Sequence, residues 1–368
     1  MPLEKVCKSC ELNESNFCLT CTAGLRRKSN TSKGFSAQDF VEHLLTKGSI
    51  APCDETADQF NNNKLPPYYD EEMYIRGQKF FHKHIFGMFL GNLLGLMAGL
   101  SIQSSLAVLI MTKMSGSDYT AYKRYVSTIL HMMIWYDSDF KPGSRLWKSL
   151  ENVKQKHNSA SKKSMCVLKY RINQKDMALA QFGFMGLIVT RNQLLGIHDM
   201  NDDELECFLH VWRVIGYVLG MEEQYNLCRK NIDETKAICH EILTRVITPT
   251  VEEKQTNHLD MVNYLINGLR TMNPFLETKT FMFYMRIVLN NDLTCVGNND
   301  LEYRLMSNDQ KFRLRAILLT IKSLQYSLVR ILLNSLQWFS VWIIKTYPYL
   351  AFYKFGKANS YVNIMRTY

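Results

Sequence analysis

The sequence predicts a mostly α-helical protein, and three observations carry that expectation. Apolar residues recur three and four positions apart over long stretches. Strict alternation of apolar and polar residues, the mark of a half-buried strand, is scarce. Prolines number only 8, with Pro66 and Pro67 adjacent to one another. With 368 residues, 46% of them hydrophobic and 12% aromatic, the chain has enough apolar surface to bury a large core in one big domain or two. No internal repeat and no long low-complexity segment interrupts it.

The elements follow in order. Residues 1–65 read as a polar, cysteine-containing tail and linker, with one short helix near Ala37–Leu45 and an end in "NNNKLPPYYD". From Asp70 the texture changes, and "DEEMYIRGQKFFHKH" leads into residues 85–112, 28 residues without a formal charge. That run is long enough to span a bilayer, but a buried central helix or a broken pair is the more expected reading. Its glycines at 87, 91, 95 and 99, about one per turn, let another helix backbone approach closely. Asp118 is placed as the cap of a helix to about Tyr136, and "SDFKPGS" then breaks the chain. The next helix starts at "RLWKSL" and is expected to end near His157, and another covers Gln174 to Leu195. After a stop at Gly196, Asn201 with Glu204 forms a plausible capping box for a helix to Met221. Three further helices fill 229–290. The main helical domain is bounded at 66–300, leaving 301–368 as a C-terminal helical segment. There Trp338, Trp342, Tyr347, Tyr349 and Tyr353, flanked by Lys345 and Lys354, resemble an interfacial belt for membrane association. A dimer face or a core-covering helix fits nearly as well.

Charge and motifs narrow the chemistry. The net charge is +10, and twelve Lys and Arg against four Asp and Glu fall between Lys123 and Asp176. Such a concentration serves an anionic surface or an anionic cofactor; nucleic acid is disfavoured because no RNA-binding strand, zinc finger or basic zipper accompanies it. There is no phosphate-binding loop, dinucleotide fingerprint, nucleophile elbow or His-Glu-x-x-His pair. Cys7, Cys10, Cys18 and Cys21 form two Cys-x2-Cys pairs, a candidate structural zinc site whose seven-residue gap is short; a reduced tail or disulfides are the plainer readings. Two glycosylation sequons, at Asn13 and Asn30, matter only if the tail is lumenal.

One short helical stretch, "KRYVSTILH", carries Arg124, Thr128 and His131 at i, i+4 and i+7, opposite a core face of Tyr122, Val126, Ile129, Leu130 and Met133. The stripe faces either water or something buried that wants polar partners. Histidine in a basic, helical, apolar setting suits a haem, which needs an axial imidazole, an apolar slot and cations for two propionates. His82, His84, His131, His157 and His210 are the candidates. The plainer alternatives are structural histidines, an Arg124 paired with Glu222 or Glu223, and a Thr128 bonded to its own backbone.

"AYKRYVSTILH", "SLENVKQKH", "QFGFMGLIVTRNQLLG" and "FLHVWRVIGYVLGMEEQYNLC" together resemble the DUF2236 domain shared by rubber oxygenases (latex clearing proteins) and the ER-bound oxygenase of mycophenolic acid synthesis. The texture is that of animal, especially insect, members, over about residues 70 to 300. The resemblance implies a globin-like helical core with a buried haem b pocket, making 66–300 a haem-binding oxygenase-like domain. It implies His157 as the iron ligand. It assigns Arg124 and Thr128 to cofactor binding and catalysis, with His131 behind them or as an alternative ligand. His210 and Arg213, which share a face of their helix with Tyr217, fit the cofactor edge and a polar ladder between helices equally well. An apolar, isoprenoid or lipid-like substrate, O2 and association with the endoplasmic reticulum membrane follow from it, with a cytoplasmic location as the alternative. Two departures stand out: Ser127 replaces the lysine of the rubber oxygenases' Arg-x-x-Lys-Thr motif, whose arginine and threonine Arg124 and Thr128 match, and "SIQSSLAVLIMTK" lacks the acid proposed as base in rubber cleavage. A catalytically inactive, membrane-associated lipid- or haem-binding protein is therefore the alternative function.

Overall fold

The computed structural model describes residues 34–54, 65–253, 255–297 and 299–364. The four N-terminal cysteines and both sequons lie outside them, so the zinc expectation has no structural counterpart here. Among the described residues there is no strand, only one isolated bridge between Pro52 and Asn173, and the fold is all-α.

The first helix, α1 (Ala37–Thr46), is capped by Ser36, whose side chain accepts from the Asp39 N–H. Then come α2 (Glu71–Lys83), α3 (Ile85–Gly99), α4 (Gln103–Thr112), α5 (Asp118–Asp137), α6 (Arg145–Leu168), α7 (Gln174–Arg191) and α8 (Asp202–Val218). The uncharged run is thus a broken pair: α3 and α4 meet at 92° across Leu100–Ile102. Ser117, not Asp118, caps α5, in a reciprocal box with Thr120. Asp118 instead adds negative charge to the first turn, where the helix dipole favours it. The expected end of α6 near His157 is also corrected. Serines and lysines carry the helix on to Leu168, with Ser161 and Ser164 buried and Lys169 closing it at φ +66°. Ser161 Oγ accepts from the Ile172 N–H at 3.1 Å, so a residue expected in a loop fixes the turn into α7. The Asn201–Glu204 capping box opens α8, and Gly196 stops the chain before it at φ +76°.

Beyond α8 lie α9 (Ile232–Ile242), running through a π turn into α10 (Thr248–Glu252), then α11 (Thr256–Leu269) and α12 (Thr278–Asn290). The C-terminal part holds α13 (Leu301–Arg304), α14 (Asn308–Ser323), α15 (Ser327–Thr346), α16 (Tyr349–Phe355) and α17 (Lys357–Ser360).

Three helix pairs make the most extensive contacts: α2 with α8, α3 with α7, and α5 with α11. Each pair meets at a glycine. A methyl group on Gly77 would strike the Cys207 carbonyl, one on Gly95 the Gly183 carbonyl, and one on Gly268 the Tyr122 backbone. Missing side chains let these backbones approach, so flanking residues such as Tyr74, Phe208, Leu94, Phe182 and Tyr122 become fully buried. Each such side chain contributes on the order of 2 kcal/mol by leaving water.

Candidate functional site

The two stretches that the sequence set apart, 123–131 and the helix holding His157, face each other. On α5 the stripe Lys123, Arg124, Ser127, Thr128 and His131 lines a cavity of about 740 Å³. On α6, Asn152, Lys156, His157, Ala160 and Lys163 fall on one face at helical spacing and line the same cavity. Helices α7 and α8 close it with apolar surface, chiefly Met177, Phe184, Trp212, Ile215 and Leu219. Phe184 stacks on Trp212 with centroids 4.7 Å apart, and Trp135 meets Trp212 edge-on at 6.2 Å, giving flat walls. Val362 and Asn363 border the cavity from the C-terminal end of the chain. That end is tied across α5: the Tyr122 hydroxyl donates to the Ser360 carbonyl and Lys123 Nζ to the Tyr361 carbonyl.

His157 forms no hydrogen bond among the described residues, and its Nδ1 is buried without a partner. Burial foremost, then the charges of Arg124 and Lys156, pushes its pKa down to about 4. The ring is therefore neutral at physiological pH, the state an imidazole needs to offer a lone pair to a metal. His131 is likewise pushed down to about 4, by burial and then Lys156. Its Nδ1 lies 2.7 Å from Ser149 Oγ, which also accepts from Trp135 Nε1 at 2.9 Å, while His131 Nε2 is buried and unpartnered. Ser149 thus locks a histidine and a tryptophan of the cavity wall with one hydroxyl. Ser149→Ala leaves both nitrogens buried without it, and a loss of about 2 to 3 kcal/mol is expected in denaturant unfolding. A change below about 0.5 kcal/mol would show that the network carries nothing.

Arg124 contacts the Thr112 hydroxyl at 3.4 Å and has no carboxylate partner among the described residues. Burial lowers its pKa, so its charge is desolvated and points to a need for an anion. The pairing with Glu222 or Glu223 considered from sequence does not form: Glu223 instead binds Arg213, with Nη2 at 2.5 Å. Thr128 does bond its own helix, donating to the Arg124 carbonyl at 3.1 Å, while its oxygen remains on the cavity wall. The stripe that the sequence singled out is therefore cavity-facing. No Asp or Glu is among the lining residues, whereas four cations are.

Two expected cofactor residues lie elsewhere. His210 Nε2 accepts from the Asp70 N–H at 3.1 Å and stacks near Tyr69, holding the start of α2. Arg213 pairs with Glu223 and sits 3.9 Å over the Tyr68 ring. Neither lines the cavity; both share a face of α8 that meets the segment before α2, a polar ladder between elements. His84 packs against Asp199 at 3.2 Å and His82 against Trp338. Ser149, Asn152, Lys156 and Lys163 were not foreseen; the signal for Lys163 was its place two turns after Lys156 on the same face, once α6 is read to its true end.

These residues fit the group that the resemblance implies. A neutral imidazole with no competing hydrogen bond, aromatic walls, and cations without carboxylates are what a haem with two propionates requires. The fold is all-helical, with a cavity between its helices that has room for a flat group. More specifically, the chain belongs to the family described as ER-bound oxygenase mpaB/B′ and rubber oxygenase, catalytic domain, which it matches over residues 81–290. The solved structure of latex clearing protein LCP in the closed state is similar at a TM-score of 0.49 and 15% identity, over 83% of this chain and 86% of that one. No curated protein matches at a significant level.

Proposed function

We propose that the protein is a haem b-dependent, oxygenase-like enzyme that oxidises an apolar, isoprenoid or lipid-like substrate with O2. The observation that supports it best is the neutral, unpartnered His157 in a cationic, carboxylate-free cavity with apolar walls. His157 would hold the iron, with Arg124 and Lys123 meeting the propionates. When bound, the haem supplies the site for binding and activating O2. The chain's own residues do the rest. Met177, Phe184, Ile215 and Leu219 exclude water and orient an apolar chain. The Thr128 oxygen, its proton committed to the Arg124 carbonyl, offers an acceptor. His131, steadied by Ser149, presents Nε2. The test is a titration of the purified protein with haem, followed by O2 uptake with terpenoid and fatty-acyl substrates. A stoichiometric Soret band with substrate-dependent uptake supports the reading; a folded, colourless protein overturns it.

The absence of any carboxylate among the lining residues favours a second reading, a binding protein without turnover. It predicts the Soret band and ligand binding without O2 consumption.

We further propose that the protein is membrane-associated, at the endoplasmic reticulum, through α15. One face of this helix is fixed to the body. Arg330 reaches Asp199 at 3.1 Å, Asn334 brackets the Lys83 carbonyl and the Phe86 N–H, and Val341 and Ile344 are buried. The other face leaves Leu328, Ile331, Leu332, Leu336, Phe339 and Trp342 exposed, an apolar stripe at helical spacing. The helix is long and apolar enough to cross a bilayer, but side-on anchoring favours one lying in the interface. Leu332→Glu with Phe339→Glu is expected to reduce co-flotation with anionic phosphatidylcholine–phosphatidylserine vesicles at least about tenfold. Unchanged flotation would assign the stripe to another partner.

A further inference from the structure

The cation count exceeds what the prosthetic group requires. A haem brings two carboxylates, yet Lys123, Arg124, Lys156 and Lys163 all line the cavity and no Asp or Glu does. Lys123 is engaged by the Tyr361 carbonyl and Arg124 by Thr112. Lys156 and Lys163 form no hydrogen bond or ion pair among the described residues. They sit two turns apart on α6, about 10 Å along its axis, with Ala160 between them leaving the wall open. Asn152, one turn before Lys156 on the same face, holds a buried, unpartnered Oδ1. Behind this polar edge the walls are apolar: Met177, Phe184, Ile215 and Leu219. A neutral hydrocarbon explains those walls and leaves the lysine edge unexplained.

We infer that the substrate is an amphipathic anion, an apolar chain ending in a carboxylate or phosphate, whose headgroup is held by Lys156 and Lys163. The inference rests on the oxygenase reading of the same cavity and narrows its substrate class. Ammonium donors on the edge of an apolar slot give a charged head much of its binding free energy while the chain is buried.

Three probes of one chain length test it below their critical micelle concentrations: oleate, oleyl phosphate and oleyl alcohol. Binding to the full-length, haem-loaded protein is read by isothermal titration calorimetry, with the Soret band recorded on the same samples. At least one anion is expected to bind about tenfold more tightly than the alcohol, and the preferred one identifies the headgroup. Lys156→Gln with Lys163→Gln should shrink that preference to about twofold while leaving the alcohol's affinity unchanged. Both lysines are exposed enough for the variant to keep its fold, which circular dichroism checks. Equal affinity for all three probes, no binding of any, or a preference that survives the double variant overturns the inference. A Soret band without anion preference sinks this inference alone. Anion preference in a protein that takes up no haem supports the inference and sinks the haem reading.

Discussion

His157→Ala is expected to lose haem binding by more than about 100-fold and to show no Soret band under conditions that load the wild type. Its fold should survive. The ring makes no hydrogen bond among the described residues, and its buried Nδ1 is an uncompensated polar atom, so truncation removes a cost rather than a support. The apoprotein's unfolding midpoint should stay level or rise. His131→Ala should behave in the opposite way, losing the Ser149 bond and stability while keeping the Soret band. If the two variants exchange these outcomes, His131 is the ligand and the assignment is wrong. The pH dependence gives an independent handle. Both imidazoles are pushed to about 4 in the fold, against an ordinary value near 6.5 in the unfolded chain. Between those values the unfolded state binds more protons, so apoprotein stability falls as pH drops from about 6.5 toward 4. Haem binding, which needs the neutral ring, should hold until the lower end of that window. A loss of haem already at pH 6.5 would mean that the ligand is an ordinary exposed histidine.

Why the site was partly legible follows from what a helix imposes. Arg124, Thr128 and His131 had to share a face because their spacing is helical, and a polar face opposite a fully apolar one is visible in one dimension. His157 was one of five candidate histidines, and only the resemblance set it apart as the ligand, since nothing near it in sequence announces a cavity. Lys163 was hidden by the early stop assigned to α6: serine favours helix ends and turns, and what carries the helix through "NSASKKSM" is burial of Ser161 and Ser164. Lys156 lay inside the expected helix, and only the facing elements make its face a cavity wall. His210 and Arg213 shared a face just as the α5 stripe does. What separates the two cases is the partner: their face meets the segment leading into α2, which supplies a backbone N–H and a tyrosine, with Glu223 closing the pair. Periodicity reports that a face is polar, and only the neighbouring element decides whether it binds a ligand or another helix.

Gly95→Ala is expected to destabilise the protein by more than about 3 kcal/mol, or to prevent folding, although alanine is the better helix former. The four glycines of α3 look equivalent in sequence, at one per turn, and the structure uses them unequally. A methyl group at Gly95 would collide with the backbone carbonyl of Gly183 on α7, which no rotamer change can move aside. At Gly183 the reciprocal methyl group would sit 3.4 Å from the Gly95 carbonyl, a contact that a small shift relieves. Gly183→Ala should therefore cost no more than about 1 kcal/mol, close to its gain in helix propensity. At Gly99 nothing lies within 4 Å, and Gly99→Ala should be neutral or stabilising. Urea midpoints of the three variants give the ranking, and equal effects at 95 and 99 would show that the α3–α7 contact is not set by backbone approach. The consequence reaches the cavity. Helix α7 carries Met177, Ala180, Gln181 and Phe184 of its wall, on either side of Gly183. Any Gly95 variant that folds must hold α7 farther from α3, moving that wall against α8. A folded Gly95→Ala protein should accordingly bind haem more weakly than Gly183→Ala, although neither residue lines the cavity.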